Sequence, residues 1–572
     1  MGKRSLGFVL PLAVALPIGA LAGPLHWPLP EDSLARNGAP QHRISHTRTP
    51  AQQIDLPVLP DRGLHPQAAN GLKRHYSSTP TDVLRYHNDN YPTGWNQSET
   101  DLTPTSVKSA NFGQLTTLNV DSNVIAQPLM LSNYKMPDNS THNLLIVATG
   151  HNTVYAYDDQ TYQILWQRNL GAAQTTNDVG CGDIQPEYGI SSTPVIVRNG
   201  ASATIYLVAA SEPASFSFHT KLHALDAGTG QDIAKAREIN PQAKLATGGK
   251  MHFDPQNQWS RSSLAYNNGS IYVSIGSHCD NNAGDISGWE LRYDAGTLQP
   301  TGKFNTIDAA AGYELSSIWM SGYSPAIDPN GNVYAITGNG NYNLGKGMKG
   351  YGESVVALSP DLKEKPIGTF TPSNWQSLNN GDTDFGSGGA MLVPVVTGQS
   401  APPLLLGAGK AGTVYLLDSS HLKGLEGQGG YQALQKIQLS GCWCGAAYYG
   451  VNSGIVYLQT SGDKLRSYNV DTVNGKLNPG NTSSDNAGFG GSFPVVSSNG
   501  TTANTAVVWA IERGNPTEQL RAYDAVALGT PLFAANAGNW SNGSRSYLTP
   551  LVANGRVYVP AYKTVTVFGL TS

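Results

Sequence analysis

Charge is scarce in this chain. Only 13% of its 572 residues are charged, the formal net charge is −4, and no run of basic residues stands out. Nucleic-acid-binding proteins carry clustered lysine and arginine, so this composition argues against nucleic acid as a partner. Glycine is abundant at 64 residues, and low charge with many glycines fits an all-β protein of short strands and tight turns.

Long apolar runs are lacking after the N-terminus. The one candidate, Leu6 to Ala22, follows Lys3-Arg4 and ends in Ala20-Leu21-Ala22. A basic start, a short apolar core and an A-x-A ending are typical of a secretory signal peptide. The stretch is short for a membrane span and contains two prolines, which disfavours an uncleaved anchor. We therefore expect a signal peptide over residues 1–22 and a secreted or periplasmic protein that does not span a membrane.

The next segment has little apolar periodicity. Residues 23–84 are rich in proline, histidine, arginine, serine and threonine, a composition that does not support a packed core. We expect a flexible leader over residues 23–84. A single folded domain is then expected over residues 85–572.

Cysteine is scarce, with only Cys181, Cys279, Cys442 and Cys444. There is no C-x-x-C-H motif, so no covalent haem is expected, and no C-x-x-C or flanking histidine suggests a metal site. Cys181 and Cys279 lie in loops of neighbouring repeats and can pair, whereas Cys442-Trp443-Cys444 looks too tight for a bridge between its own cysteines. Four cysteines allow three pairings, and the sequence does not choose among them. A hydrolase is disfavoured because no G-x-S-x-G nucleophile motif is present.

A unit of one pattern returns about eight times along the chain. It consists of an apolar pair, a small turn with glycine, an apolar strand with tyrosine, and an Ala-or-Ser, hydrophobic, Asp ending. One copy is LLIVATGHNTVYAYDDQTYQILW, from Leu144 to Trp166. Repetition at such a period indicates a propeller or solenoid. Because each copy holds short alternating strands without a helical period, we expect an eight-bladed β-propeller.

Closure of the ring is also predicted. The last unit is short and ends at Ser572, so the segment from Phe112 to Val120 is expected to supply its missing strand. Joining both chain ends in one sheet removes exposed strand edges. Asn-Gly pairs at 268–269, 330–331 and 554–555 predict hairpin turns, and Trp166 is predicted to pack between blades rather than to contact a ligand.

Several of these units resemble a known family. YAYDDQTYQILW, LHALDAGTGQ and AYDAVALGTPLF are similar to the ends of quinoprotein repeats, which build the eight-bladed propeller of pyrroloquinoline quinone (PQQ) dehydrogenases. The opening YHNDNYPTGWNQSETDLTP resembles the start of secreted bacterial PQQ-like repeat proteins. The resemblance covers about residues 85–570 and implies the same propeller.

The order of three loop motifs extends the resemblance to a site. VYAITGNGNYN and DTDFGSGGAMLV follow one another as in the quinoprotein alcohol dehydrogenases, which implies Asn339 as a calcium ligand and Asp384 as catalytic base and calcium ligand. LLLGAGKAGTVYLLDSS implies that Lys410 contacts the quinone. Trp319, in IWMSGYSPAIDP, resembles the tryptophan floor beneath it. The cofactors implied are PQQ and calcium, and the alternatives are ordinary turn, loop-cap and core roles for these four residues.

The chain also departs from that family. Ser215 stands at the position where the family has a glutamate calcium ligand. The other carboxylates considered, Glu212 and Glu187, do not align with that position. The adjacent cysteine pair of the family is absent. The run His278-Cys279-Asp280-Asn281 is rich in ligand types, but it is more typical of a polar loop tip than of a metal site.

Two functional hypotheses follow. The first is a PQQ- and calcium-dependent dehydrogenase that oxidises an alcohol or sugar hydroxyl and passes electrons to a separate acceptor. The second is a non-catalytic propeller whose loop face binds a protein or glycan. The ordered set of Asn339, Asp384 and Lys410 favours the first hypothesis, and the missing glutamate and the missing adjacent cysteine pair favour the second.

Overall fold

The computed structural model describes residues 77, 79–246, 248–281, 286–307, 315–342, 349–363, 365–394, 402–514, 516–540 and 548–571. The expected signal peptide lies outside these residues, as does the expected leader apart from residues 77 and 79–84. Among the described residues, no helix has the length and apolar character needed to cross a bilayer.

The described chain opens with a short strand, a helix and a long strand. These are β1 (Trp95–Asn96), α1 (Pro104–Lys108) and β2 (Phe112–Asn123). The helix begins at an N-cap, Thr103, which forms a reciprocal capping box with Ser106, and proline is tolerated in the first turn because its missing N–H would be unpaired there.

Antiparallel four-stranded meanders then follow one another. The first two are β3 (Leu129–Lys135), β4 (Thr141–Ala148), β5 (Thr153–Asp158) and β6 (Ile164–Asn169), and, after α2 (Thr176–Val179), β7 (Val195–Asn199), β8 (Ser202–Ser211), β9 (His219–Asp226) and β10 (Arg237–Glu238). A separate hairpin joins β11 (Gln242–Lys244) and β12 (Lys250–His252). The next meander is β14 (Ala265–Asn267), β15 (Ser270–Ser277), β16 (Trp289–Asp294) and β17 (Pro300–Asn305), with β13 (Gln258–Trp259) also paired to β15.

The middle of the chain repeats the arrangement. Its meanders are β18 (Ala326–Ile327), β19 (Val333–Ile336), β20 (Val355–Leu358) and β21 (Gly368–Thr371), and, after α3 (Trp375–Asn380), β22 (Met391–Val393), β23 (Leu404–Ala408), β24 (Thr413–Asp418) and β26 (Gln435–Gln438). An added strand, β25 (Lys423–Leu425), pairs in parallel with β21.

The last meanders complete the sheet set. They are β27 (Ala447–Tyr449), β28 (Ile455–Leu458), β29 (Lys464–Asp471) and β30 (Lys476–Asn486); β31 (Val495–Ser497), β32 (Val507–Arg513), β33 (Thr517–Asp524) and β34 (Leu528–Asn539); and β35 (Leu551–Ala553), β36 (Arg556–Pro560) and β37 (Tyr562–Leu570). The final set gains its fourth strand from β2, which pairs antiparallel with β37 from Phe112↔Leu570 onward. The expected pairing between the two ends of the chain is therefore present.

The loops that connect the strands lie at two opposite ends of the sheets. Because neighbouring strands run antiparallel, the turns from first to second and third to fourth strand share one end of a sheet. The connections from second to third strand and from one meander to the next lie at the other end, which we call the connection end. The Asn-Gly turns occupy the first group, with positive φ at Asn268, Gly269, Asn554 and Gly555, as predicted.

The segment before β2 contacts the first strands of several meanders. Backbone N–H groups of Ile196, Ile327, Tyr448 and Val496 donate to its carbonyl oxygens between residues 84 and 94 at 2.7–2.8 Å. First strands that are far apart in sequence therefore gather around one segment. Within it, the buried His87 ring stacks on Tyr86 at 4.4 Å.

Tryptophan packing between sheets is found where the sequence predicts it. The indole Nε1 of Trp166, on β6, donates to the carbonyl of Ala227 at 2.9 Å, which follows β9 in the next meander. A Cβ atom at Gly230 would lie 2.5 Å from the Trp166 ring. Trp166 thus fills the space between two successive sheets.

Candidate functional site

Four residues singled out from the sequence meet at the connection end. Lys410 Nζ lies 2.6 Å from Asp384 Oδ1, and Trp319 Nε1 donates to Asp384 Oδ2 at 3.0 Å. The Lys410 ammonium also lies 5.8 Å from the centroid of the Trp319 ring. Asn339 joins them through Asp382, which accepts from both Asn339 Nδ2 and Lys410 Nζ at 2.8 Å.

Glycines permit this close approach. A Cβ atom at Gly338 would lie 2.7 Å from Asp384 Oδ2 and 3.0 Å from Trp319 Nε1. A Cβ atom at Gly409 would lie 2.5 Å from the Phe385 backbone. Any larger residue at either position would push the Asp384 loop away, so glycine is needed where backbone and side chains converge.

Two further carboxylates of the site were not identified from the sequence. Asp382, two residues before Asp384, is 75% exposed and forms the outer edge. Glu353 is fully buried, and its Oε2 accepts the Phe385 N–H at 2.5 Å. Its other oxygen, Oε1, has no hydrogen-bond partner among the described residues. The D-x-D spacing was a visible signal for Asp382, whereas nothing local to YGESVV indicates that Glu353 turns inward.

A third carboxylate comes from the loop that the sequence suggests is a polar tip. Asp280 Oδ2 accepts from Asn339 Nδ2 at 3.3 Å, and Ser277 donates to Asp280 Oδ1 at 2.5 Å. The Oδ1 atom of Asn339 is buried and has no hydrogen-bond partner within the part of the chain that is described. Asp280 is therefore bonded to Asn339, while among the described residues no converging group of metal-ligating side chains includes it. We call this group of side chains the oxygen cluster. It consists of five oxygen-bearing residues, Asp280, Asn339, Glu353, Asp382 and Asp384, together with Lys410, whose ammonium pairs with Asp382 and Asp384.

Burial and crowding perturb these groups. Burial raises the pKa of Glu353 to about 9, with the charge of Asp384 adding to the rise. Burial also raises the pKa values of Asp280 and Asp384, although Ser277 and Lys410, respectively, oppose the rise. Burial alone would lower the pKa of Lys410, but Asp384 and Asp382 hold it above its ordinary value. The site concentrates more carboxyl groups than one ammonium compensates.

The carboxylates do not close around a single point. Among the described residues, the one trio of acidic or sulfur ligands within 4.8 Å of one another is Cys181, Asp183 and Cys279, and its sulfurs are joined in a disulfide. The carboxylates of the oxygen cluster are spaced more widely, with Lys410 between Asp382 and Asp384.

The sequence-level departures remain in the structure. Ser215 is exposed. Glu187 pairs with His151 at 3.0 Å, and Glu212 accepts the Phe216 N–H at 2.7 Å. Neither glutamate is bonded to the oxygen cluster in the part of the chain that is described.

Both disulfides are formed within loops of the connection end. Cys181 pairs with Cys279, one of the pairings left open by the sequence. Cys442 pairs with Cys444 across a single residue, and the expectation that this run is too tight was wrong. Its Cα–Cα distance is 4.8 Å, inside the range that a disulfide spans. The bridge adjoins the site, since Cys442 N–H donates to the Gly409 carbonyl at 3.0 Å.

Comparisons with known proteins identify the fold. No protein-family model matches the chain, and no curated protein matches it. Among solved structures it is similar to the quinohemoprotein alcohol dehydrogenase from Comamonas testosteroni, with a TM-score of 0.55 and 16% identity over 85% of this chain and 80% of that one. It is also similar to a europium-containing methanol dehydrogenase, with a TM-score of 0.54 and 14% identity over 86% and 91%. The chain thus has a mostly β, propeller-like fold of the quinoprotein dehydrogenase type.

Proposed function

We propose that the oxygen cluster binds calcium and PQQ and that the protein oxidises an alcohol or sugar hydroxyl. The observation that carries this proposal is the meeting of Trp319, Asn339, Asp384 and Lys410, four residues that the family resemblance assigned separately. Their mutual contacts run through Asp384 and Asp382. The similarity to two quinoprotein dehydrogenases concerns the fold of the chain, so the chemistry is argued from the residues of the site.

The donor set fits a calcium ion. Calcium takes six to eight hard oxygen ligands, and the cluster offers carboxylates together with Asn339 Oδ1, which has no hydrogen-bond partner among the described residues. Burial raises the pKa values of Asp280, Asp384 and Glu353, and neighbouring carboxylates add to the rise; a divalent cation would favour the charged forms of these groups. Asn339 and Asp384 would hold the metal, beside Asp280 and Asp382, which both accept from Asn339 Nδ2.

The same residues fit a planar, anionic quinone. Trp319 is half-buried and presents a flat ring, and Lys410 offers an ammonium group 5.8 Å from that ring. A planar anionic ligand held against Trp319 would therefore lie close to the positive charge of Lys410. When bound, PQQ supplies the two-electron redox chemistry of the reaction.

Protein side chains position and move the proton. Trp319 Nε1 and Lys410 Nζ hold the two oxygens of Asp384, which fixes the orientation of the carboxylate. Asp384 then takes the hydroxyl proton of the substrate as general base. Since the sequence has no C-x-x-C-H motif, we propose a separate electron acceptor.

Three architectural proposals accompany this function. The successive meanders form eight blades of one ring over residues 85–572, which the β2–β37 pairing and the gathered first strands support. Residues 1–22 are a signal peptide and residues 23–84 a leader. The mature protein is secreted or periplasmic.

The test is oxidation by the reconstituted protein. Purified protein is loaded with PQQ and calcium, and reduction of an artificial dye acceptor is followed with a panel of alcohols and sugars. We expect turnover that Asp384→Asn reduces by at least a hundredfold, because the base is lost while its shape is kept. Glu187→Gln, at a carboxylate outside the cluster, is the matched control and keeps its activity. Absence of turnover with every substrate in the presence of bound PQQ would contradict the enzymatic proposal.

A second candidate is binding of a glycan by the loop face. Trp443, half-buried and flanked by the Cys442–Cys444 bridge, lies 4.9 Å from the ring of Phe489, which is 52% exposed. The Arg513 guanidinium lies 5.9 Å from the Phe489 ring. Exposed aromatic faces beside a charged donor can stack on a sugar ring and bond its hydroxyls. Binding can be measured as slower migration of the protein in gels that contain a glycan. This candidate predicts that Trp443→Ala abolishes the slowing, whereas the control Phe216→Ala, at an exposed phenylalanine elsewhere, leaves it intact.

A further inference from the structure

A basic segment separates the second and third meanders. Residues 235–252 contain four lysines and arginines and one carboxylate, whereas the whole chain has 36 lysines and arginines against 40 acidic residues. This segment includes β11 and β12, which pair antiparallel with each other as a separate two-stranded sheet. The segment therefore gathers positive charge that is scarce in the rest of the chain.

One face of the β11–β12 hairpin carries this charge. The register places Lys244 directly opposite Lys250, and Gln242 opposite His252. These four residues are exposed, whereas Met251, on the other face, is 5% exposed and packs in a hydrophobic core. Among the described residues, no carboxylate forms an ion pair with either lysine. Like charges directly opposite each other destabilise a strand pair, so a bound anion would relieve the repulsion.

A cavity adjoins the hairpin. It has a volume of about 470 Å³, lies between the segment from β10 to β11 and strands β16 and β17 of the next meander, and is lined by Arg237, Gln242 and Lys303 among others. Lys303 Nζ donates to the Gln242 carbonyl, and Lys250 Nζ donates to Gln242 Oε1 at 3.2 Å. Two ammonium groups thus converge on one lining residue. The volume is within the range of roughly 300–1,000 Å³ that is usual for small-molecule sites.

The positive charge of the cavity is not neutralised by its own lining. Glu238 is the one carboxylate among the described lining residues. It is engaged with His219, at 2.9 Å, and lies 4.0 Å from Lys221. Within the described part of the chain, Arg237 and Lys303 have no carboxylate partner. The cavity therefore favours a ligand that brings a negative charge of its own.

The neutral lining suits a hydroxylated ring. Asn240 and Tyr293 carry amide and hydroxyl groups, which bond alcohols. Leu291, Pro241 and Pro300 add nonpolar surface. A sugar ring with a carboxylate presents one charge, several hydroxyl groups and nonpolar C–H faces, and it therefore matches each part of this lining.

We propose that this cavity binds a uronic acid, a sugar ring that carries a carboxylate, with the carboxylate held by Lys250 and Lys303 at the rim. The ring is either a free monosaccharide or one unit of an acidic polysaccharide, since both present the same chemistry to the cavity. Arg237, in the lining, and Lys244, opposite Lys250, add to the positive field. None of the described lining residues belongs to the oxygen cluster, so this site stands or fails independently of the proposed oxidation.

The test is the binding of D-glucuronate to the purified protein, measured by isothermal titration calorimetry at low ionic strength, where exposed charges are least screened. D-Glucose is the neutral analogue. We expect saturable binding of glucuronate and none of glucose over the same concentration range. Lys250→Gln and Lys303→Gln should each weaken glucuronate binding by about tenfold, the loss expected for one charge-assisted hydrogen bond.

Lys135→Gln is the matched control. Lys135 is an exposed lysine at the end of β3, in the first meander. Its substitution removes the same charge away from the cavity, so glucuronate affinity should stay within about twofold of the wild type. All three lysines are exposed, so none of the substitutions disturbs a packed core.

Inorganic phosphate and polygalacturonate complete the test. Glucuronate binding or polygalacturonate binding that both lysine substitutions weaken supports the proposal, and the tighter of the two identifies the source as free sugar or polymer. Phosphate binding as tight as glucuronate binding would show a general anion site and would overturn the assignment to a uronic acid. The proposal is also overturned if neither uronic acid binds, or if Lys250→Gln and Lys303→Gln leave the binding unchanged.

Discussion

A buried glutamate outside the site should make the protein less stable as the pH rises. Glu518, on β33, is 0% exposed, and neither of its carboxyl oxygens has a hydrogen-bond partner among the described residues. Burial raises its pKa from 4.5 to about 8, although the nearby Arg513 opposes the rise. The folded protein therefore carries Glu518 in its protonated, neutral form at neutral pH.

The direction of the effect follows from proton binding. Between pH 4.5 and about 8, the unfolded chain has released the proton that the folded protein still holds. The contribution of Glu518 to stability is fully present below pH 4.5 and falls by about 1.4 kcal/mol per pH unit as the pH rises through this window. From about pH 5.5 to about pH 7.5, the free energy of unfolding should decrease by about 2 to 3 kcal/mol on account of Glu518 alone.

The assay is urea unfolding at the two pH values for the wild type and Glu518→Gln. Glutamine keeps the shape without the titration, so the variant should lose less stability than the wild type over the same interval. Asp361→Asn is the control, because Asp361 is exposed and its hydrogen bond from Ser359 holds its pKa below the ordinary value. Its curve should run parallel to that of the wild type. A Glu518→Gln curve parallel to the wild type would refute the reasoning.

Three further predictions concern charge pairs and ring closure. Lys410→Met leaves Asp384 without its ammonium partner at a position where both side chains are largely buried. It should therefore lower the free energy of unfolding, measured by urea titration, by about 3 kcal/mol. Lys410→Arg keeps a positive charge and should lower it less. Arg556→Met breaks an ion pair with Asp159 in which the two side chains are 1% and 0% exposed, and should lower the free energy of unfolding by about 3 to 5 kcal/mol. Adding Asp159→Asn removes the unpaired buried charge and should recover part of that stability. Failure to recover it would show that the two residues are not coupled. Ending the chain at Ala561 deletes β37, the partner of both β2 and β36, so the truncated protein should not give the wild-type calorimetric transition, and a wild-type transition would contradict the need for closure.

The repeat made the gross arrangement predictable from the sequence. Strands of one period place equivalent connections at one end of the sheets, so Asn339 and Lys410, each after a second strand, had to share an end with Trp319 and Asp384. The pairing of Phe112–Val120 with the last unit followed from the same period, because that unit was one strand short. The Asn-Gly turns were predictable from backbone preference alone.

The rest of the site depends on loop paths that local sequence does not encode. Asp280 contacts Asn339 from a loop that also contains a disulfide-bonded cysteine and a buried histidine, and neither that pairing nor that burial is visible from His278-Cys279-Asp280-Asn281 alone. Glu353 turns inward to accept the Phe385 N–H, a contact set by tertiary packing. The Cys442–Cys444 bridge was not predicted because it depends on a local bend that brings the Cα atoms to 4.8 Å.

The most direct test of the central claim is a titration of the purified protein with PQQ in the presence of calcium. The quinone absorbance and the midpoint of thermal unfolding are followed together, since a ligand that binds only the folded state must raise that midpoint. The account predicts saturable binding that requires calcium and is lost in Asp384→Ala, Asn339→Ala and Lys410→Ala. No binding at high cofactor concentration, or binding that these three substitutions leave unchanged, would contradict it.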